Sequence, residues 1–215
     1  MKRFALRSLS LLFGNFLYAL GIVITIKASI GYAPWEVFHV GVALVTGMSI
    51  GVTSIVAGII IVAIVTISGE KIGFGTIVSM LLTGMFIDLI IFLDIVPAVE
   101  GLVKGIAMLI AGLFVVSFGA YFYISSAFGA GPRDNLMVVL TRKMKLPIGV
   151  CRSIVELTVT IAGWRLGGMI GIGTVISVIG VGLCIQLTFT ILKFDATAVE
   201  HETLMETYKS LKKIK

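Results

Sequence analysis

Long apolar runs, broken by single polar residues, set the pattern of this chain. A transmembrane helix needs about 20 mostly apolar residues to cross a hydrocarbon core about 30 Å thick. Six stretches reach that length, near 7–27, 51–68, 74–93, 102–124, 148–166 and 173–192. They predict an all-α membrane protein with six transmembrane helices. The first stretch follows Lys2, Arg3 and Arg7. Its apolar run is too long for a signal peptide, and no convincing small-residue cleavage site follows. It reads as an uncleaved anchor.

Two further stretches are too short to cross, at 34–47 and 132–146. Each follows Gly-x-x-Pro and carries an acid in its first turn, Glu36 or Asp134. Proline suits the first helical position, and an early acid suits the helix dipole. Each predicts a short non-spanning helix after the first span of its half.

The two halves repeat at an offset of 98 residues. Gly14, Phe16 and Gly21 fall on Gly112, Phe114 and Gly119. Gly31 and Pro34 fall on Gly129 and Pro132, and Ile50-Gly51-Val52 falls on Ile148-Gly149-Val150. Gly73, Gly75, Thr76 and Ser79 fall on Gly171, Gly173, Thr174 and Ser177. More than half of the identities involve Gly, Pro, Ser or Thr, which chance alignment of Leu-, Ile- and Val-rich sequence does not produce. An odd number of spans per copy makes the second copy enter from the opposite side, as in inverted repeats. The chain therefore divides into a first three-helix repeat over 1–100, a second over 101–193, and a tail over 194–215. Leu204, Tyr208 and Leu211 recur at helical spacing in that tail, which predicts a short amphipathic helix.

Composition agrees with a membrane protein. Of the 215 residues, 58% are hydrophobic and 13% are charged, and mean hydropathy is +1.13. Soluble domains carry about 25% charged residues. An ordinary soluble enzyme, a disordered chain and a nucleic-acid-binding domain are excluded; the expected surroundings are the lipid bilayer. The net charge of +6 then reports topology. With the N-terminus inside, only Lys27, Lys104 and Arg165 of the 17 basic residues face outward, as the positive-inside rule requires. Both termini are then cytoplasmic. Cys151 and Cys184 lie in apolar runs and form no disulfide framework.

Three segments resemble one family. They are Gly31-Tyr-Ala-Pro34-Trp35-Glu36-Val-Phe-His39, Gly129-Ala-Gly131-Pro132-Arg133-Asp134-Asn-Leu-Met, and Gly163-Trp164-Arg-Leu-Gly167-Gly168-Met-Ile-Gly171-Ile-Gly173-Thr174. The chain from about residue 10 to 192 resembles the YczE/YyaS/YitT-type bacterial integral membrane proteins. The resemblance implies a multi-pass protein of the bacterial inner membrane and supplies no activity.

Candidate chemistry rests on few residues. Glu156 lies near the middle of the fifth span, where an ionised carboxylate is expensive and ordinarily faces protein or water. Gly149, Arg152, Glu156, Thr160, Gly163 and Gly167 share one helical face; Val150, Ile154, Leu157, Ile161 and Trp164 fall toward the other. Arg152 precedes Glu156 by one turn and can neutralise it. The pair is either a substrate or proton site or a packing device. Its register mates, Ser54 and Gly58, carry no charge, which favours function.

Arg133 and Asp134 open the inner short helix, and Glu36 and His39 lie in the outer one. They are candidates for the solute path, with helix capping as the competing role. Gly31, Pro34, Gly129, Gly131 and Pro132 are candidate gating motifs. Asp88 in the third span is a further inward-facing candidate, with interhelical hydrogen bonding as its alternative. The chain has no HExxH, GxSxG or Cys/His cluster. No enzyme activity, metal or cofactor is expected, and no nucleotide-binding motif would power transport. The expectation is a secondary transporter of a small solute. The competing reading is a non-transporting scaffold that recruits a cytosolic protein partner through residues 133–145 and the tail. A passive channel is a third, and homodimer formation stays open.

Overall fold

The computed structural model describes residues 2–70, 72–129, 131–199, 202, 203 and 206. Eight α-helices follow one another among them: α1 (Lys2–Lys27), α2 (Pro34–Thr46), α3 (Ile50–Ile67), α4 (Phe74–Phe92), α5 (Leu102–Ser125), α6 (Pro132–Met144), α7 (Ile148–Arg165) and α8 (Ile172–Ile191). A helix stands at each of the eight expected places, six long and two short, within a few residues of the expected boundaries. The proposed amphipathic turn through Leu204, Tyr208 and Leu211 lies outside the described residues.

Local chemistry sets these boundaries. Pro34 and Pro132 open α2 and α6 from extended residues, Ala33 and Gly131. Gly47 ends α2 in the left-handed conformation at φ 74°. Ser49 caps α3 by accepting from the Val52 amide at 3.1 Å. At the starts of α4 and α8, Thr76 and Thr174 hydroxyls accept from the Gly73 and Gly171 amides, at 3.3 and 3.1 Å.

Five helices, α1, α3, α4, α5 and α8, are each long and apolar enough to cross a membrane. The expected independent span over 148–166 is not among them. Arg152, Glu156 and Arg165 leave α7 too polar to qualify alone; it passes only together with α6, from which it is bent by 115°, so the described residues hold five spans, or six if this bent pair is counted as one. The lipid-facing side of α7 is as expected: Val150, Ile154, Leu157, Ile161 and Trp164 are all exposed, while Gly163 is buried.

The antiparallel pair α1 and α5 forms the centre. Small residues let their backbones approach, which is how helices associate where lipid removes the hydrophobic drive. A methyl group at Gly14 would lie 2.5 Å from the Tyr123 amide nitrogen, and one at Gly119 2.5 Å from that of Tyr18. Further along, Gly21 would meet Val116 and Gly112 would meet Thr25. Helix α4 packs on α1, α8 on α5, α2 on α7, and α3 on both α4 and α6. In contrast, α7 and α8 barely meet.

Two loops cross the bundle ends in matching ways. The Gly173 amide donates to the Ile30 carbonyl at 2.8 Å, and the Gly75 amide donates to the Phe128 carbonyl at 2.7 Å. Both loops need glycine. Gly31 and Gly129 sit at φ 114° and 139°, outside what L-residues readily adopt. A methyl group on Gly31 would lie 2.5 Å from the Gly171 nitrogen, and one on Gly129 2.9 Å from the Gly73 Cα.

Candidate functional site

A cavity of about 310 Å³ lies among the helices, and every one of the eight contributes to its wall. Asn15 and Tyr18 come from α1, Ser54 and Gly58 from α3, Ser79 and Thr83 from α4, and Tyr123 from α5. Trp35 and His39 come from α2, Arg133 and Asp134 from α6, and Arg152 and Glu156 from α7. The aliphatic Val181 and Ile185 of α8 complete the ring. A site of this size is at the small end of the range, about 300–1,000 Å³, that takes compact solutes.

Charge is concentrated on one side, on α6 and α7. The Arg152 Nε donates to Glu156 Oε1 at 2.8 Å, one helical turn away. The Arg152 side chain is half-exposed, whereas that of Glu156 is mostly buried. The Asp134 carboxylate accepts from the Tyr123 hydroxyl at 3.0 Å. Arg133 lies over the Trp35 ring, 4.6 Å from the guanidinium carbon to the ring centroid, and reaches Glu36 at 3.8 Å. Glu36 sits behind this contact, 5% exposed and off the cavity surface. Helix α2 is too short to span. Burial pushes the Glu36 carboxyl above its ordinary range, and the Arg133 charge pulls it partly back. Burial, reinforced by Arg133, holds the His39 imidazole well below its ordinary range, so it is neutral near pH 7.

The lining from α1, α4 and α5 is polar without charge. Thr83 donates to the Asn15 carbonyl oxygen at 3.0 Å, and the Asn15 amide donates to the Leu11 carbonyl at 2.7 Å. The Tyr18 and Tyr123 rings meet edge to face at 6.0 Å. Ser79 is 7% exposed, and its hydroxyl has no hydrogen-bond partner among the described residues.

Glu156, Arg152, Arg133, Asp134 and His39 thus share one cavity, with Gly131 and Pro132 on its edge. Gly31, Pro34 and Gly129 stand outside the lining and shape the approach of α2 and α6. Asp88 lies apart. Its carboxylate accepts from Ser49 Oγ at 2.5 Å and from the Gly51 amide at 2.8 Å, which ties the start of α3 to α4. Among the described residues, no group of three or more His, Cys, Asp or Glu side chains could hold a metal.

Asn15, Tyr18, Trp35, Ser54, Ser79, Thr83 and Tyr123 were not among the residues singled out from sequence as candidate binding groups. For Asn15 the signal was available, since an amide inside an apolar span needs an inward partner. For the hydroxyls it was not, because Ser and Thr are common at helix interfaces.

No solved structure matches the chain. An uncharacterised membrane protein of Bacillus subtilis (strain 168), YczE, is 34% identical over 179 residues, covering 81% of both chains. An uncharacterised protein of Haemophilus influenzae is 29% identical over 182 residues, covering 85% of this chain and 83% of its own. YyaS of Bacillus subtilis, also uncharacterised, is 25% identical over 183 residues, covering 84% and 90%. Residues 5–190 match a family of unknown function, DUF6198. With its apolar helices and this relationship over most of its length, the chain is a multi-pass membrane protein and belongs to the DUF6198 family.

Proposed function

We propose that the protein is a secondary transporter of a small solute in the bacterial inner membrane, built as two inverted three-helix repeats around the central cavity. The observation that carries this reading is the cavity itself: a space of about 310 Å³, walled by all eight helices and lined by Arg133, Asp134, Arg152 and Glu156. Ionised side chains are costly within a membrane and ordinarily mark substrate or proton paths.

Crossed contacts support the repeat. The two-fold operation that pairs residues 98 apart exchanges Gly14–Tyr123 with Gly112–Thr25, and Gly31–Gly171 with Gly129–Gly73. Each of these pairs is in close approach. The exchange also turns the Gly173–Ile30 hydrogen bond into the Gly75–Phe128 bond. In such transporters, non-spanning half-helices point their N-termini at a midplane site. Here α2 and α6 bring theirs together through Trp35, Glu36 and Arg133. The open side between α7 and α8, unlike the packed α3–α4 pair, gives the second half freedom to move.

Both termini are cytoplasmic in this reading, following the distribution of basic residues. The scaffold reading has less support. Two of the basic residues it would offer to a partner are engaged within the chain: Arg142 pairs with Glu70, and Lys143 donates to Ser68 at 3.1 Å.

The test is thermal stability of the purified protein in detergent against a panel of amino acids, amines, organic acids, sugars and nucleosides, beside Glu156→Gln. A ligand at a hundred times its dissociation constant adds about 2.7 kcal/mol. The transport reading expects a stabilising compound whose effect disappears in Glu156→Gln. Absence of any shift, with Glu156→Gln merely less stable, makes the pair structural and directs attention to protein partners.

A further inference from the structure

We infer that the ligand of this cavity is a small zwitterion, bearing one carboxylate and one ammonium group, in the size range of a free amino acid. The inference rests on the reading of the cavity as a solute site and specifies its chemistry.

Charge balance is the first ground. The lining holds two cations, Arg133 and Arg152, and two carboxylates, Asp134 and Glu156; Glu36, behind Arg133 and off the lining, is a third carboxyl whose burial favours its neutral form. A ligand of one sign would add an unbalanced charge to a site walled off by apolar helices, where stranded charge is expensive. A zwitterion adds none, and each of its ends finds a group of opposite sign. A neutral polyol would use the hydroxyl wall and leave the charged one without purpose.

Bonding capacity is the second. The Arg133–Glu36 separation of 3.8 Å is long for a charge-assisted hydrogen bond, so the Arg133 fork keeps donors for a carboxylate. No side chain caps the N-terminus of α6, whose first residues Pro132, Arg133 and Asp134 line the cavity. That end attracts a negative group. The Glu156 and Asp134 carboxylates each accept a single hydrogen bond from the described residues and retain sites for an ammonium group. Elsewhere in the lining, the buried Ser79 hydroxyl has no partner among the described residues. An unsatisfied buried hydroxyl calls for a bound group.

The experiment titrates the full-length protein in detergent with free L-amino acids, each beside its decarboxylated amine and its deaminated acid. For leucine these are isoamylamine and isocaproate; for phenylalanine, phenethylamine and hydrocinnamate. Inositol serves as the neutral polyol. At least one amino acid should bind about tenfold or more tightly than either of its fragments. Glu156→Gln should abolish the preference over the deaminated acid, and Arg133→Gln the preference over the amine. Should one variant fail to fold, the other and the wild-type ligand series still decide. An amine, an acid or inositol binding as tightly as every amino acid overturns the zwitterion and leaves the solute site standing. No binding by any amino acid overturns it as well, and no binding by any compound removes the solute site with it.

Discussion

The Arg133 guanidinium stacks on the Trp35 ring at 4.6 Å, and the two residues stand 98 positions apart in the chain. That offset is the one at which the glycine pattern of the first half recurs in the second. Under two-fold symmetry, a residue that meets its own counterpart lies at the axis. Trp35 and Arg133 also line the cavity, so this proposed axis and the proposed site coincide. Replacing Arg133 by Lys keeps the charge and removes the flat stacking surface. The expected cost is about 0.5–2 kcal/mol, measured by unfolding in mixed detergent and SDS micelles, together with weaker carboxylate binding.

Glu156→Gln separates function from folding. Its ion pair joins a half-exposed arginine to a mostly buried carboxylate through one hydrogen bond, and a hydrogen bond to a charged group contributes about 1.5–3 kcal/mol. The variant should fold, elute as the wild type does on gel filtration, and lose its response to ligand.

Asp88 serves as the contrast. Its carboxylate holds Ser49 Oγ and the Gly51 amide, away from the cavity. Bonds to a charged acceptor are worth about 1.5–3 kcal/mol each. Asp88→Asn should lower stability by about 1–3 kcal/mol and leave ligand affinity unchanged. A loss of affinity at unaltered stability would assign Asp88 to the solute path.

Glycines at two kinds of position should respond oppositely to alanine. Gly31 combines φ 114° with a Cβ position 2.5 Å from the Gly171 nitrogen. Gly31→Ala should cost more than the roughly 1–2 kcal/mol of the backbone term alone, because the adjoining loop must also shift. Gly149, in the first turn of α7, has nothing within 4 Å of its Cβ position. Gly149→Ala should be neutral or stabilising by up to about 1 kcal/mol. Unfolding midpoints of both variants check the pair.

Much of the fold was readable in the chain because lipid imposes a length rule. Apolar runs give the spans, and Gly-x-x-Pro followed by an acid gives the short helices at 34 and 132. The bent α6–α7 pair differs from the expectation of an independent crossing over 148–166. A bend of 115° depends on how two segments pack, and Leu146-Pro147 marks only where it can occur. Within the site, Glu156 and Arg152 stood out because charge inside a span is rare. Asp88 stood out for the same reason and Glu36 as an acid in the first turn of a short helix, yet they support neighbouring helices from behind or beside the cavity. Residue type reveals the cost of burial, while tertiary packing decides what offsets it. Tyr18 and Tyr123 face each other from α1 and α5, and no local pattern connects residues that distant in sequence.

A secondary transporter, as proposed for this protein, opens its cavity to each side of the membrane in turn. Ser54 lines the cavity and is partly buried, which makes Ser54→Cys a suitable reporter. The native thiols, Cys151 and Cys184, are buried, so the wild type supplies the background. A charged, membrane-impermeant thiosulfonate is applied separately to right-side-out and inside-out vesicles. A transporter predicts that Cys at position 54 is modified from both sides, with one side suppressed by a stabilising ligand. Modification from a single side, unaffected by any ligand, would contradict the account.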